Sequence, residues 1–130
     1  MKCVFVSQSF DGIIPALEAR KFDAILSSMT VTPERAKQVA FSSEMYDEPT
    51  SLIAKKGSGL KPTAASLKGK TVGVEAGTIQ ETYAKTYWQP NGVNVVSYQG
   101  QDQVYADLLS GRLDASLQDL SLIHISEPTR

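Results

Sequence analysis

The sequence predicts an α/β protein built from two lobes; two observations lead to this fold class, and the composition indicates that the chain is globular. Apolar runs and helical patterns alternate along the 130 residues, which is typical of parallel sheets covered by helices. A similar helix-to-strand unit occurs twice, as "ALEARKFDAIL" at residues 16–26 and "DLLSGRLDASL" at residues 107–117. Hydrophobic residues make up 42% of the chain and charged residues 21%, a composition of globular proteins.

The two similar units each continue into polar residues, Ser27-Ser28 in one case and Gln118-Asp119 in the other. Open α/β sheets usually bind ligands at the carboxyl ends of their strands. The repeat therefore indicates two α/β lobes that each present a polar tip where a ligand could bind. A chance match is the alternative, because short helix-to-strand joints use few residue types.

Composition and charge exclude several functional classes. The chain has 13 basic and 14 acidic side chains, so no nucleic-acid partner is expected. No segment approaches the roughly 18 apolar residues of a membrane span, and Met1 to Val6 is typical of a strand rather than of a signal peptide. Cys3 is the sole cysteine; it excludes an internal disulfide and is expected to be a small buried thiol.

The first half of the chain is predicted to contain two strands and two helices before an extended segment. Short apolar runs indicate the strands, and helical spacing or a Thr-Pro start indicates the helices. In chain order these elements are a strand at Val4–Val6, a helix at Gly12–Arg20, a strand at Phe22–Leu26, a helix at Pro33–Val39 and an extended segment at Thr50–Lys55.

The second half is predicted to alternate more regularly. Gly57, Gly59 and Pro62 interrupt the pattern, because glycine and proline are typical of turns. Strands and helices then follow at the spacing of parallel β-α-β units. They are a strand at Lys70–Glu75, a helix from Thr78 to about Trp88, a strand at Val93–Tyr98, a helix at Asp102–Ser110 and a strand at Leu113–Leu117.

Arg35 lies where a helix by itself disfavours a cation. Thr32 is a plausible N-cap and Pro33 suits the first helical position, so Arg35 falls in the first turn, where the helix carries a partial positive charge. A capping box would place Glu or Gln there. An external anion explains the arrangement if the guanidinium holds it together with the hydroxyls of nearby serine and threonine. A solvated surface arginine is the alternative.

Three stretches resemble a known family. They are "DAILSSMTVTPERAKQVAFS", "LKGKTVGVEAGT" and "GRLDASLQD", and they resemble the periplasmic solute-binding proteins of ABC importers, in particular the group that binds lysine, arginine and ornithine or histidine. The resemblance runs from about Lys2 to Asp119. It implies a two-lobed periplasmic-binding-protein type II-like fold, a periplasmic location and closure of the lobes on one amino acid.

The resemblance also implies the first-lobe ligand residues. The hydroxyls of Ser27, Ser28 and Thr30, together with Arg35, match the positions that hold the substrate α-carboxylate, so that carboxylate is the expected anion. Phe10, in "SQSFDGIIP", matches an apolar or aromatic position against the ligand side chain. A place in the hydrophobic core is the alternative for Phe10.

In the second lobe, the resemblance implies that "GVEAGT" is a turn whose N–H groups and hydroxyl also contact the carboxylate, which points to Gly77 and Thr78. Gln80 is a further candidate. Asp119 matches the aspartate that accepts the α-ammonium group, with an exposed strand-end aspartate as the alternative.

Two positions depart from the family pattern. Position 75 is Glu where relatives usually have an apolar residue, and position 79 is Ile where a hydroxyl is common. Loss of the hydroxyl should weaken the hold on the carboxylate. Glu75 is hypothesised to face the cleft and favour a cationic side chain; a solvent-facing Glu75 is the alternative.

The resemblance further implies a fold truncated at both ends. Residues 1–50 are assigned to a partial first lobe, 51–56 to a crossing strand or hinge, and 57–119 to most of the second lobe. The ending "LSLIHISEPTR", residues 120–130, resembles a translated sequencing adapter and is expected to be non-native. His124 lies in this tail and is assigned no role.

Three functions other than transport are alternatives: a dehydratase, a nucleotide-binding P-loop protein and a ligand-sensing domain. A dehydratase on the same fold would need a general acid or base in the cleft, and Glu75 is the local candidate. A P-loop would need Gly at position 64, which is Ala64. A ligand-sensing domain of a receptor is an alternative with the same fold. We expect a monomeric, non-enzymatic protein without metal or cofactor. Its expected partners are an amino acid and, when closed, the importer permease subunits.

Overall fold

A computed structural model of the chain describes residues 2–43 and 50–119. The expected non-native tail therefore lies outside the described residues. The strands are β1 Thr50–Ala54, β2 Thr71–Glu75, β3 Asn94–Tyr98 and β4 Ala115–Asp119. The α-helices are α1 Ile13–Glu18, α2 Pro33–Ala36, α3 Ala64–Leu67, α4 Ile79–Tyr83 and α5 Gln101–Ser110.

The four strands form one mixed sheet in the order β1-β4-β2-β3. β2 is parallel to β3 and to β4, whereas β1 is antiparallel to β4 and pairs Thr50 with Asp119. The carboxyl ends of β2, β3 and β4 therefore meet at one edge, which the amino end of β1 joins. The predicted α/β fold class is confirmed. The division of the chain into lobes and a hinge at residues 51–56 stays a prediction, with β1 fully paired to β4.

Helical segments pack on both faces of this sheet. On one face, the buried cluster comprises Leu67, Val72, Val74, Ala84, Trp88, Val93, Ala115 and Leu117. On the other, Val104 and Leu108 of α5 pack with Leu113. The alternation along β2 explains the two layers, because Val72 and Val74 face one side while Gly73 faces the other. A side chain at Gly73 would meet Leu113 at 2.5 Å, so glycine lets α5 approach the sheet closely.

Threonine N-caps begin three of the helices. Thr32, Thr63 and Thr78 each accept a hydrogen bond from the backbone N–H three residues later, which satisfies an otherwise unpaired donor of the first turn. The predicted cap at Thr32 and first helical position at Pro33 are confirmed. Within the described residues, no helix has both the length and the apolar character that a membrane crossing requires.

The helix predicted from Thr78 to Trp88 is not a uniform α-helix. α4 ends at Tyr83 and continues as a π-helical segment, Ala84–Trp88, and then as a 3-10 turn, Gln89–Asn91. The wider segment places both Ala84 and Trp88 in the core. The apolar spacing indicates a helix, but the local pattern carries no signal for the change in hydrogen bonding.

Two strands predicted in the first half are wrong. Val4–Val6 and Phe22–Leu26 are irregular, and β1 to β4 are the strands of the described residues. A strand needs a neighbour for its backbone hydrogen bonds, and neither segment is among the strand pairs of the described residues. The side chains of Val4 and Leu26 are 79% and 81% exposed. The expectation that Cys3 is buried is also wrong. Cys3 is exposed, because it directly precedes the irregular segment Val4–Val6.

Candidate functional site

A cleft of about 360 Å³ lies between the first half of the chain and the carboxyl edge of the sheet. Its walls bring together eight of the nine predicted ligand residues, which are Phe10, Ser27, Ser28, Thr30, Arg35, Thr78, Gln80 and Asp119. They come from distant parts of the sequence. The cleft is therefore the candidate site, and the role of each residue in binding stays a prediction.

Arg35 is held at the cleft by partners from both halves of the chain. Its guanidinium donates to the carbonyl oxygen of Thr30 at 2.8 Å and, across the cleft, to the carbonyl oxygen of Gly77 at 3.0 Å. The guanidinium carbon lies 5.4 Å from the ring centroid of Phe10, which is cation–π range. Burial lowers the pKa of Arg35, but an arginine this basic stays charged. These contacts fix the orientation of the guanidinium group at the cleft.

Gly77 is the predicted ligand residue that does not line the cleft. Its φ of +81° is in the left-handed region, and a side chain there would approach the Cα of Asp11 to 2.6 Å. Its N–H donates to the carboxylate of Glu81 at 2.8 Å. Gly77 therefore allows the two halves of the chain to touch, and its carbonyl orients Arg35.

Thr78 lines the cleft and also begins α4. Its hydroxyl accepts from the N–H of Glu81 at 3.1 Å and donates to the carbonyl of Glu75 at 2.7 Å. With the bond from Gly77 to Glu81, this pattern closely resembles a capping box. The turn that the sequence singled out is thus held rigidly by its own side chains.

Asp119 ends β4 and lines the same cleft as Arg35. One of its carboxylate oxygens accepts from the side-chain amide of Gln80 at 2.7 Å and lies 3.4 Å from the hydroxyl of Thr50. The Gln80 amide also donates to the same hydroxyl at 3.0 Å. Gln80 is almost fully buried, so it acts as a fixed donor that orients the Asp119 carboxylate.

Glu75 also lines the cleft, at the end of β2. Burial raises the pKa of its carboxyl, and the negative charges of Asp102, Asp11 and Asp119 raise it further. Both effects disfavour the charged carboxylate in the absence of a nearby cation. Of the two alternatives for Glu75, the structure agrees with the cleft-facing one.

Three glutamines of the cleft, Gln8, Gln101 and Gln118, were not predicted as site residues. Gln118 is 2% exposed, and its amide donates to the hydroxyl of Tyr105 while its carbonyl oxygen accepts from Gln101 and Ser116. Both Gln101 and Gln118 line the cleft. The polar pair Gln118-Asp119 at the end of an apolar strand was a sequence signal for Gln118, whereas Gln101 gave none.

A second, smaller cleft of about 200 Å³ lies near the amino ends of the parallel strands. Lys55, Lys70, Leu113 and Asp114 are among its walls, and none of the predicted ligand residues is there. Of these two clefts, only the larger one is lined by predicted ligand residues.

Known proteins that are similar in sequence to this chain are named as periplasmic amino-acid-binding proteins. It is 52% identical over 119 residues to the lysine/arginine/ornithine-binding periplasmic protein of Escherichia coli, covering 92% of this chain and 46% of that protein. It is 48% identical over 118 residues to the histidine-binding periplasmic protein of Salmonella typhimurium, covering 91% and 45%. The chain thus spans about half the length of the curated relatives it matches.

Solved structures agree with this similarity. A Salmonella typhimurium periplasmic binding protein, described for its high arginine specificity, superposes with a TM-score of 0.85 at 36% identity, covering 95% of this chain and 54% of that one. An ancestral amino-acid-binding protein described as a precursor of cyclohexadienyl dehydratase gives 0.79 at 33% identity, covering 90% and 52%.

The family assignment rests on a match over most of the described chain. Residues 1–87 match the family of bacterial extracellular solute-binding proteins, family 3. That span includes the first half of the cleft, with Arg35, and the capped turn at Thr78. The chain belongs to the family 3 bacterial extracellular solute-binding proteins.

Proposed function

We propose that this chain belongs to the extracytoplasmic solute-binding component of an amino-acid ABC importer and that it captures a basic amino acid, lysine, arginine, ornithine or histidine. The observation that carries the proposal is that Arg35 and Asp119, from distant parts of the chain, line one cleft. The two groups offer a positive and a negative charge to one small molecule. A free amino acid carries the complementary pair, an α-carboxylate and an α-ammonium group.

The carboxylate is assigned to the Arg35 side of the cleft. A guanidinium matches the two oxygens of a carboxylate, and Ser27, Ser28 and Thr30 add hydroxyl groups on the same wall. The carbonyl of Gly77, which accepts from Arg35, keeps the guanidinium directed across the cleft. Thr78 also lines the cleft, but its hydroxyl proton is donated to the carbonyl of Glu75, so its contribution is to hold this turn in place.

The ammonium group is assigned to Asp119, whose carboxylate Gln80 orients. A hydrogen bond to a charged group contributes about 1.5–3 kcal/mol. Three or four such bonds offset the cost of immobilising the ligand and support micromolar or tighter binding. Phe10 lies against the same space and provides an apolar surface for the ligand side chain.

The basic class of ligand is supported by two independent observations. Glu75 adds a second acidic group to the cleft, and the similar proteins are named for binding histidine, lysine, arginine and ornithine. One of the similar structures is described for its arginine specificity. Each of these side chains carries, or on protonation gains, a positive charge.

Transport follows from closure of the cleft. Because the ligand contacts both walls only when they are close together, binding favours the closed state in proportion to that difference. The closed form is the one that the permease subunits of an importer would recognise. A monomer in the periplasm fits this role, and the similar proteins are named as periplasmic.

Dehydration is the second candidate function, because the similar ancestral protein is described as a dehydratase precursor. Glu75, whose pKa burial raises, would be the general acid. The relatives at higher identity are named as binding proteins, which favours transport. Incubation with prephenate-like acids distinguishes the two, since a dehydrated product would support the enzyme.

The proposal is tested by calorimetric titration of the protein that carries this sequence with lysine, arginine, ornithine and histidine. Arg35→Ala is expected to weaken binding at least about 100-fold, because it removes the charge that pairs with the α-carboxylate. Arg112→Ala removes an exposed arginine that does not line the cleft and is the matched control. Unchanged affinity in Arg35→Ala would contradict the proposal.

A further inference from the structure

Three ionisable side chains line the cleft within the described residues, and their charges do not balance. They are Arg35, Glu75 and Asp119. In the proposed function, Arg35 pairs with the α-carboxylate and Asp119 with the α-ammonium group. The α-carboxylate and α-ammonium groups of an amino acid are then both paired, and neither supplies a counter-charge for Glu75.

No other part of the described chain neutralises Glu75. The ion pairs among residues 2–43 and 50–119 join Lys85 to Glu81 and Arg112 to Asp107, and neither involves Glu75. Its charged neighbours are instead Asp11, Asp102 and Asp119, which are all acidic. The charges that act on Glu75 are therefore negative and come from both halves of the chain, and a positive charge brought by a ligand would be stabilised there.

The cleft walls also suit the shape of a long cationic side chain. Phe10, Ile79 and Leu117 line the same space as Glu75 and offer apolar surface. Lysine and arginine bury their methylene stems against such surface while the charged tip seeks a polar partner. A carboxylate in the same cleft as this apolar surface is a suitable partner for the charged tip.

Glu75 stands on a rigid element. It ends β2 and pairs in register with Tyr98 of β3, and its carbonyl oxygen accepts from the hydroxyl of Thr78. The hydroxyl of Tyr98 is in turn held by Asp107 at 2.6 Å. The backbone of Glu75 is thus fixed on both sides, which places its carboxylate reproducibly at the cleft.

We infer that Glu75 is the specificity-determining residue of the cleft and that its carboxylate selects ligands with a positively charged side chain over neutral ones of the same shape. This inference rests on the proposed function, because it takes the main-chain part of the ligand to be bound by Arg35 and Asp119. It assigns a ligand role to a position that the family resemblance describes as usually apolar.

The test compares arginine with citrulline, its neutral analogue of nearly equal shape, by calorimetric titration at neutral pH. The unmutated protein is expected to bind arginine at least about 10-fold more tightly than citrulline. Glu75→Gln keeps the size and removes the charge, so the preference is expected to fall by about 10-fold. Citrulline affinity is expected to change by no more than about twofold, which also shows that the variant is folded.

Glu18→Gln is the matched control, because it removes one carboxylate from the exposed end of α1. It is expected to keep the full preference for arginine. An unchanged preference for arginine in Glu75→Gln would overturn the inference. An equal loss of affinity for arginine and citrulline would overturn it as well, because it would indicate a structural role for Glu75. If neither ligand bound the unmutated protein, the proposed function would fail first and the inference with it.

Discussion

Residues 50–119 and residues 2–43 bury their apolar side chains to very different extents. The later region contains all four strands and two buried clusters. Among residues 2–43, only Ile14 and Ala16 are buried, and Phe5 is 84% exposed. The regions are similar in their apolar runs, so the difference lies in what each run can pack against.

The difference shows what a strand needs beyond a suitable sequence. In residues 50–119, each strand has a neighbour for its backbone hydrogen bonds and contributes side chains to, or packs them against, the two buried clusters. The runs at Val4–Val6 and Phe22–Leu26 have neither within the described residues. Burial and hydrogen bonding are both required before the loss of chain entropy is offset.

The less packed region nevertheless supplies half of the candidate site. Arg35 donates across the cleft to Gly77, and the backbone of Asp11 lies against Gly77. These contacts join the earlier region to the rigid turn before α4. The later region therefore acts as the scaffold, and the earlier region presents its polar groups against it.

The largest effect is expected from a matched pair of leucines. Leu67→Ala removes a fully buried side chain of the later region and is expected to lower the free energy of unfolding by about 2–5 kcal/mol. Leu26→Ala changes a side chain that is 81% exposed, so a change within about 0.5 kcal/mol is expected. Urea unfolding of both variants measures the difference, and similar losses would erase the contrast between the regions.

An intermediate effect is expected where the two regions touch. Gly77→Ala forces a side chain into the left-handed region and against Asp11, whereas Gly57→Ala meets the same conformation in open space. The clash is expected to make Gly77→Ala less stable than Gly57→Ala by about 1–3 kcal/mol. Equal losses in urea unfolding would mean that the contact with Asp11 contributes nothing.

The smallest effect is expected from the charge of Glu75. Burial and the nearby Asp102, Asp11 and Asp119 raise its pKa in the folded chain, so the folded state binds this proton more tightly than the unfolded state does. Stability is therefore lost as the pH rises from the unfolded pKa through the raised folded pKa. Above that window, Glu75→Gln is expected to stabilise the ligand-free protein, by about 0.5 kcal/mol or less because solvent screens the charges.

Thermal unfolding at neutral and at acidic pH measures this gain. At a pH below the unfolded pKa, both states are protonated and the gain is expected to vanish. Glu18→Gln, on exposed helix surface, should show no comparable pH dependence. A destabilised Glu75→Gln at neutral pH would mean that Glu75 has a cationic partner in the folded chain.

The sequence by itself determined the local features of this protein. The cap at Thr32, the alternation of strands and helices after Gly59, and the polar ends of the strands all follow from residue type and spacing, which act within a few positions. The resemblance singled out the nine ligand residues, and the structure brings eight of them to one cleft. Their part in binding stays a prediction.

Only the tertiary structure decided which apolar runs became strands and which charges came to share a space. Whether Val4–Val6 pairs, whether α4 widens into a π-helical segment at Ala84, and whether Glu75 lies near Asp11 depend on segments far apart in the chain. Strand pairing, close packing and electrostatic interactions act between such segments and vary with distance. A pattern read along the chain does not contain those distances, because they are fixed only when the segments pack together.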